Sequence, residues 1–297
     1  MQLFKKTNDP FEKKISLEDA IKEYDESFEA RWRQALAAFA EEKDDCVYLI
    51  GPSSYLFLLG GTKIAVDPQV RRESDLEKIK DTVVPFFSAF DAILISHEHD
   101  DHFDNKLSNL LKDTDLTWYL PEGIKPVWVE KSGLRPACIR YVSPEDVFTV
   151  GSVKVHAFDS PHKPFGAEWE MAERGYELIT EKGRVLLPGD IREYAYDAYP
   201  PMQGADLCIT HVWAGNNTVD PQQYLPRMEN CADFFARFAA KKHFLTHLYE
   251  IGREQHVMWD TEHADILAQK LKERLPDTEA KAPILGRGYR LFSCEEI

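Results

Sequence analysis

Cysteine is sparse in this sequence, and it does not occur in pairs. The 297 residues contain five cysteines at scattered positions, namely Cys46, Cys138, Cys208, Cys231 and Cys294. An odd number without a CxxC pair argues against a disulfide framework and against a cysteine-ligated zinc site. Cys46 and Cys208 lie within apolar runs, which favours a role as small core residues.

Long apolar runs are absent as well. No segment has the length that a membrane-spanning helix needs. The first residues, MQLFKKTNDPFEKK, lack the apolar stretch that is typical of a secretory signal peptide. We therefore expect a cytoplasmic protein that does not span a membrane.

Basic residues are outnumbered. The chain has 36 Lys and Arg against 51 Asp and Glu, which gives a formal net charge of −15. Such a surface repels phosphate backbones, so nucleic acid is a poor default partner, and the simplest meaning of the acidity is solubility. We expect a small-molecule substrate as the partner, and the sequence leaves open a homo-oligomer.

The chain also lacks a linker or low-complexity stretch that would divide it. Apolar residues at three- and four-residue steps predict a helix over residues 16–42, and we interpret residues 1–45 as an N-terminal helical extension. From Cys46 onward, short strand-like runs alternate with helical segments, and Gly60-Gly61 predicts a hairpin turn. We therefore predict one domain over residues 46–297, in which two packed sheets carry helices on their outer faces.

A dense cluster of potential metal ligands follows the apolar strand DAILIS. Three of the ten histidines fall within six residues, in the run His97-Glu98-His99-Asp100-Asp101-His102. His97 and His99 are two residues apart, so in extended backbone their side chains point the same way. Imidazole and carboxylate together suit zinc, and they also suit manganese or iron. An exposed polar loop would not be expected to collect these residue types at the end of a strand.

The segment SHEHDDHFD resembles the HxHxDH motif of the metallo-β-lactamase superfamily, and the resemblance extends over most of residues 46–292. It implies an α+β fold, a four-layer αββα sandwich, with the helical extension placed before it. It also implies three further ligands at strand ends. Their counterparts here are His162 (rather than His156, which lies mid-strand), Asp190 in the turn Pro-Gly-Asp, and His247 (rather than His211 or His243).

The resemblance then implies a site for two divalent metal ions. Its pattern assigns one metal to His97, His99 and His162, the other to Asp101, His102 and His247, and makes Asp190 the bridge. Asp67 matches the early aspartate that braces the histidine loop, although an ordinary turn aspartate remains the alternative. Two adjacent cations would lower the pKa of a shared water and supply a bridging hydroxide for hydrolysis, and Asp101 would orient it.

The resemblance favours a hydrolase. The flavodiiron branch of the fold has a carboxylate at the second histidine of the motif, where this chain has His99. The layout is most similar to the branch that contains L-ascorbate-6-phosphate lactonase and N-acyl-phosphatidylethanolamine phospholipase D. We therefore expect a small phosphorylated or lactone-like substrate. A phosphodiesterase acting on lipid or nucleic acid and a non-catalytic metal-binding or regulatory protein are the alternatives.

Substrate contacts are expected from loops near the ligands. After the strand-like run LCIT, a short segment combines rings with hydrogen-bonding groups. The residues concerned are His211, Trp213, Asn216 and Asn217. The segment 165–174 follows His162 and is a hypothetical lid over the pocket. Surface loops packed by their own aromatic residues are the alternative interpretation of both segments.

Overall fold

Two seven-stranded sheets face each other, and helices cover the outer side of each. The computed structural model describes residues 17–292, except for residues 71, 163–170, 193, 195–196, 198, 201, 203, 216 and 250–257. The helices are α1 (Leu17–Glu41), α2 (Glu73–Phe87), α3 (Asn105–Leu111), α4 (Pro126–Ser132), α5 (Pro221–Ala236) and α6 (Thr261–Arg274), with a short 3-10 helix at Pro136–Cys138.

The first sheet has the strand order β14-β1-β2-β3-β4-β5-β6. Strands β14, β1, β2 and β3 pair antiparallel, whereas β3, β4, β5 and β6 run parallel. The bounds of its strands are β1 (Cys46–Gly51), β2 (Ser54–Leu59), β3 (Thr62–Val66), β4 (Ala92–Leu94), β5 (Thr117–Pro121), β6 (Ile139–Val142) and β14 (Gly288–Arg290).

The second sheet has the order β13-β12-β11-β10-β9-β8-β7 and the same division. Strands β7 to β10 pair antiparallel, whereas β10 to β13 run parallel. The bounds of its strands are β7 (Val147–Val150), β8 (Val153–Asp159), β9 (Arg174–Ile179), β10 (Arg184–Leu187), β11 (Leu207–His211), β12 (Lys242–Thr246) and β13 (Glu279–Lys281).

Three apolar cores hold these layers together. One lies between the first sheet and the helices α1 to α4, and it includes Phe39 and Trp118. A second joins the two sheets, around Phe57 and Val155. The third joins the second sheet to α5 and α6, around Phe235. Each sheet is thus covered on both faces, which is why its central strands are continuous apolar runs.

The predicted four-layer sandwich is confirmed by this arrangement. Gly60 and Gly61 form the turn between β2 and β3, with φ of 57° and 82°, values that glycine adopts without a steric penalty. Helix α1 buries Phe28, Trp32 and Phe39 in the first core. The division of the chain at residue 45 stays a prediction. Within the described residues, no helix combines the length and apolarity that crossing a membrane requires.

Candidate metal centre

One edge of the sandwich collects the ends of several strands. The loop from His97 follows β4, and His247 follows β12, so both lie where parallel strands end. Strand β8 runs in the same direction as β10, because both pair antiparallel with β9. The segments after β8 and β10, which carry His162 and Asp190, therefore reach the same edge.

The first cluster at this edge contains His97, His99, His162 and Asp190. Each residue offers one ligand atom, and these atoms all lie within 4.8 Å of one another. Nε2 of His97 is 2.8 Å from Nδ1 of His99. Two imidazole nitrogens that face each other at this distance, beside a carboxylate, form a suitable donor set for a divalent cation.

Glu173 supports this first cluster, and sequence reasoning missed it. Its carboxylate is fully buried and lies 3.0 Å from Nδ1 of His162 and 3.4 Å from Nδ1 of His97. It also accepts a hydrogen bond from the backbone N–H of Asp190, at 2.6 Å. A carboxylate that holds Nδ1 of a histidine leaves Nε2 to face the metal and fixes the orientation of the ring.

Gly189 makes the approach of Glu173 to the Asp190 backbone feasible. Its φ is +102°, and a Cβ at this position would lie 2.6 Å from Oε1 of Glu173 and 2.5 Å from Oγ of Ser160. A side chain would therefore clash with both groups. The sharp turn that the Pro-Gly-Asp sequence predicts is present, and it exposes the Asp190 carboxylate toward the histidines.

The second cluster contains His102, His211 and His247, again with ligand atoms within 4.8 Å of one another. The Oδ2 atom of Asp101 is 3.3 Å from Nε2 of His247 and 3.7 Å from Nε2 of His102. The backbone of His247 has a φ of 67°, and its N–H donates to the carbonyl of Pro52 at 2.7 Å. This contact fixes the residue at the end of β12.

Asp67 contacts the second cluster. Its carboxylate lies 2.8 Å from Nδ1 of His102 and accepts hydrogen bonds from both the N–H and the hydroxyl of Ser96, at 2.7 and 2.6 Å. Asp67 has a φ of 47°, a conformation that is uncommon for residues other than glycine but accessible to Asp and Asn. The Asp67 carboxylate therefore contacts the motif loop at Ser96 and His102, and its bracing role stays a prediction.

The loop that carries the motif is also tied down at its far end. The Asp104 side chain caps α3 by accepting from the N–H groups of Lys106 and Leu107, and its other oxygen accepts from the N–H of Val70. The cap satisfies N–H groups that the first turn of a helix leaves unpaired. The hydrogen bond from Val70 to Asp104 therefore holds the loop after β3 against the loop after β4.

The pKa values of His97 and His99 in the first cluster differ from that of His102 in the second. Burial lowers the pKa of His97 well below its ordinary value and, together with neighbouring imidazoles, lowers the pKa of His99 to about 4. Burial also acts to lower the pKa of His102, but the carboxylates of Asp101 and Asp67 outweigh it and raise that pKa to about 10. His97 and His99 therefore present neutral lone pairs, whereas His102 is balanced by two carboxylates.

Asp190 interacts with both clusters. Burial acts to raise its pKa, but His247, Arg192 and His162 outweigh it and hold the pKa well below its ordinary value. Its Oδ2 atom lies 3.1 Å from Nη2 of Arg192 and 3.8 Å from Nε2 of His162. The carboxylate is therefore ionised at the point where the two clusters meet.

The buried atoms at this edge fit a pair of metal ions. Nε2 of His102, Nε2 of His162 and Oδ1 of Asp190 are buried, and none has a hydrogen-bond partner among the described residues. Leaving such atoms unpaired costs about 1–3 kcal/mol each. Metal coordination would satisfy all three, because each is a lone-pair donor that faces the cluster.

The residues that we expected to contact the substrate lie in different surroundings from one another. His211 lies in the second cluster, and its Nε2 is 3.0 Å from the hydroxyl of Tyr55. Trp213 is buried in the core beside α5, with the Arg227 guanidinium 4.9 Å from its ring centroid. Asn217 accepts from the N–H of Val219. Asn216 and residues 165–170 of the segment 165–174 lie outside the described residues.

The rival histidines lie in other surroundings. His156 is on β8 and is 3.4 Å from Glu145 and 3.6 Å from Glu177. His243 is the second residue of β12, and its Nδ1 is 3.0 Å from the hydroxyl of Thr210. Neither belongs to the two clusters that the described residues form.

Residues 47–229 match the family profile described as the Beta-lactamase superfamily domain. No curated protein matches the sequence. Among solved structures, the diiron β-hydroxylase CmlA from Streptomyces venezuelae aligns with a TM-score of 0.61 and 14% identity over 84% of this chain and 55% of CmlA. This chain thus spans about half the length of that enzyme.

Two further solved structures match over nearly their whole length. The isothiocyanate hydrolase from Delia radicum gut bacteria aligns with a TM-score of 0.56 and 14% identity, over 82% of this chain and 97% of that one. The metallo-β-lactamase fold protein YhfI from Bacillus subtilis aligns with a TM-score of 0.55 and 17% identity, over 83% and 99%. At these identities, the three structures show the fold.

Proposed function

The chain belongs to the metallo-β-lactamase superfamily, and on that premise we propose that it is a hydrolase that works with two divalent metal ions. The observation that carries the proposal is the convergence of buried nitrogen and carboxylate atoms at one sheet edge, several of them without a hydrogen-bond partner among the described residues. A structural role would pair such atoms with each other or with the backbone.

The proposed ligands follow from the two clusters. His97, His99 and His162 bind one ion, and Asp101, His102 and His247 bind the other. Asp190 bridges the two, which is supported by its interactions with both clusters. We propose zinc as the physiological metal, with manganese or iron as alternatives, because imidazole and carboxylate ligands suit all three.

Each supporting residue has a defined task in this proposal. Bound metal ions supply Lewis acidity, which makes water nucleophilic near neutral pH and stabilises developing negative charge. Glu173 and Asp67 hold histidine rings so that one nitrogen of each faces the centre. Asp101, whose side chain is 19% exposed, orients the attacking water and accepts its proton. His211 lies in the same cluster as His102 and His247, and in this proposal it contacts the reacting group.

Hydrolysis is favoured over oxidation by the ligand set. A carboxylate in place of His99 would match the redox branch of the fold, whereas this chain has a histidine there, with Nδ1 facing His97. CmlA is a hydroxylase, but its likeness to this chain concerns the fold. The finer proposal, a small phosphorylated or lactone-like substrate as in the L-ascorbate-6-phosphate lactonase branch, depends on the lactonase resemblance in the motif layout.

An activity screen tests the proposal directly. Protein reconstituted with zinc, manganese or iron should hydrolyse at least one of four classes, namely lactones, carboxylic esters, phosphodiesters and phosphomonoesters, and a chelator should abolish that activity. His97→Ala should be inactive, while His156→Ala, which changes a histidine outside both clusters, should keep full activity. Activity that survives both the chelator and His97→Ala would refute the metal-dependent mechanism.

A further inference from the structure

A cavity of about 300 Å³ opens beside the second cluster. It lies between the turn that joins β1 to β2, the loop of the HxHxDH motif, the end of β12 and the connection from β13 to β14. A volume of this size falls at the lower end of the range for small-molecule sites. The cavity can therefore hold a small substrate or one part of it.

The cavity directly adjoins the proposed catalytic groups. Asp101 forms part of its wall, and the same carboxylate lies 3.3 Å from Nε2 of His247. Pro52 also lines it, and the carbonyl of Pro52 accepts the hydrogen bond that fixes the His247 backbone. A molecule in the cavity would therefore touch the residue that we propose as the proton acceptor.

Most of the remaining wall is apolar. It is formed mainly by aliphatic side chains and one aromatic ring. The residues concerned are Leu49, Leu248, Tyr249, Ala282, Ile284 and Leu285. Contact with such a wall favours hydrocarbon, because burying apolar surface contributes about 25 cal/mol per Å².

The charged groups of the cavity disfavour an anion. Asp100 and Asp101 both line it. Among the described lining residues the only cation is Lys106, and its ammonium lies 3.1 Å from the Asp104 carboxylate. Away from the proposed metal ions, a phosphate placed here would face Asp100 and one lysine that is already paired with Asp104, so the cavity itself is poorly suited to it.

We propose that this cavity binds the aliphatic chain of a neutral substrate, which makes the substrate a carboxylic ester or lactone that carries an alkyl or acyl chain. The inference rests on the proposed hydrolase function and chooses between its two substrate classes. In the reaction, the oxygen of water bonds to the acyl carbon and the bond from that carbon to the alkoxy oxygen breaks. One proton of the water goes to the departing alkoxide, so no oxidant or reductant is needed.

The first test measures binding without turnover. Neutral straight-chain primary amides, from acetamide to octanamide, are titrated by calorimetry into metal-loaded protein and into chelator-treated protein. Each methylene that enters the cavity should tighten binding by about fourfold, which corresponds to about 0.8 kcal/mol per buried methylene. Affinity that does not rise with chain length would overturn the proposal.

Variants then test whether the aliphatic chain of the amide lies in the cavity. Ala282→Phe fills the cavity and should weaken octanamide binding by about tenfold while acetamide binding stays the same. Ile284→Ala enlarges the cavity and should move the best-bound amide to a longer chain. Val147→Phe is the matched control, because Val147 is exposed on β7, at the opposite edge of the second sheet from β13. Metal content should equal wild type in all three variants.

The results separate this inference from the proposed function. Chain-length-dependent binding that Ala282→Phe removes, in a protein that hydrolyses none of the four substrate classes, would support the cavity and refute the hydrolase. Metal-dependent hydrolysis of all esters from acetate to octanoate with equal KM would support the hydrolase and refute the cavity. If the Ala282→Phe and Val147→Phe variants bind the amide equally well at every chain length, the cavity proposal is also refuted.

Discussion

The candidate metal centre has one half around His97 and one around His102. In each half a buried carboxylate contacts histidine rings, and the two carboxylates come from different sheets. In the first half, Glu173, which lies just before β9 of the second sheet, holds Nδ1 of His97 and His162. In the second half, Asp67, just after β3 of the first sheet, holds Nδ1 of His102. Each sheet therefore contributes a buried carboxylate that orients the histidines of one half.

The halves differ in what surrounds them. Burial and neighbouring imidazoles lower the pKa of His97 well below its ordinary value and the pKa of His99 to about 4. The second half contains the partly exposed Asp101 and borders the cavity. From this difference we propose that the first half anchors a metal and the second half meets the substrate.

Substitution of Asp190 should have the largest effect, because it should disrupt metal binding in both halves at once. Asp190→Asn keeps the size of the side chain but removes the charge that the two proposed ions share. Mutating groups that merely support ligands costs about 10–100-fold, so losing a shared ligand should reduce turnover by more than about 100-fold and weaken metal binding. Elemental analysis and initial rates measure both effects. Wild-type turnover in this variant would show that Asp190 is not a ligand.

His247 and His211 separate a ligand from a substrate contact within the second half. His247→Ala should lose one metal per chain together with activity, because a lone pair that binds the cation is gone. His211→Ala should keep both metals and lower turnover by about 10–100-fold, since a hydrogen bond to a charged reacting group contributes about 1.5–3 kcal/mol. Loss of one metal from His211→Ala, with His247→Ala fully loaded, would exchange the two roles.

Glu173→Gln and Asp67→Asn test whether each carboxylate serves its own half. Each should weaken one of the two metal-binding steps by about 10-fold or more and leave the other step unchanged. The Asn side chain tolerates the positive φ at position 67, so the substitution isolates the charge.

Stepwise metal titration of the two variants measures both steps. Glu177→Gln is the matched control for Glu173, because Glu177 is also buried on the β9 side but contacts His156 and Arg184 instead. A pair of variants that weaken the same step equally would contradict the separation into halves.

Tyr55→Phe should have the smallest effect. The Tyr55 hydroxyl lies 3.0 Å from Nε2 of His211 and 2.7 Å from the hydroxyl of Thr246, with all three side chains buried. Removing it leaves buried groups unpaired, so the free energy of unfolding should fall by about 1–3 kcal/mol while both metals remain bound. Urea unfolding checks the stability. An unchanged free energy of unfolding would show that the hydroxyl does not support His211.

The fold was predictable because its signals are local. Apolar runs bounded by Gly, Pro and Ser mark the strands, and a motif with three histidines in six residues marks the end of β4. The bracing role of Asp67 comes from the resemblance and stays a prediction. These features depend on residues that are close together along the chain, or on a motif with a fixed order.

Glu173 could not be identified in the same way. It precedes its strand, and it reaches the metal edge only because β9 runs antiparallel to β8 and β10. The sequence ERGYE offers two glutamates, and strand direction alone decides that Glu173 lies at this edge while Glu177 pairs within the sheet. The one available signal was a glutamate placed directly before an apolar strand.

The loop residues show a second limit. Trp213 follows β11 as the sequence suggests, but its ring packs in the core beside α5 under Arg227. The direction of a side chain after a strand end depends on the helix that packs there, which the local sequence does not reveal. A substrate contact by Trp213 or Asn217 stays a prediction.

The number of metal ions tests the central claim most directly. Protein freed of metal with a chelator is titrated with zinc, and elemental analysis follows removal of unbound ions. A dinuclear centre that Asp190 bridges, as we propose, predicts saturation at two zinc ions per chain, with the His97→Ala and His247→Ala variants each saturating at one. Saturation of the wild-type protein at one ion, or no binding at all, would contradict the dinuclear centre.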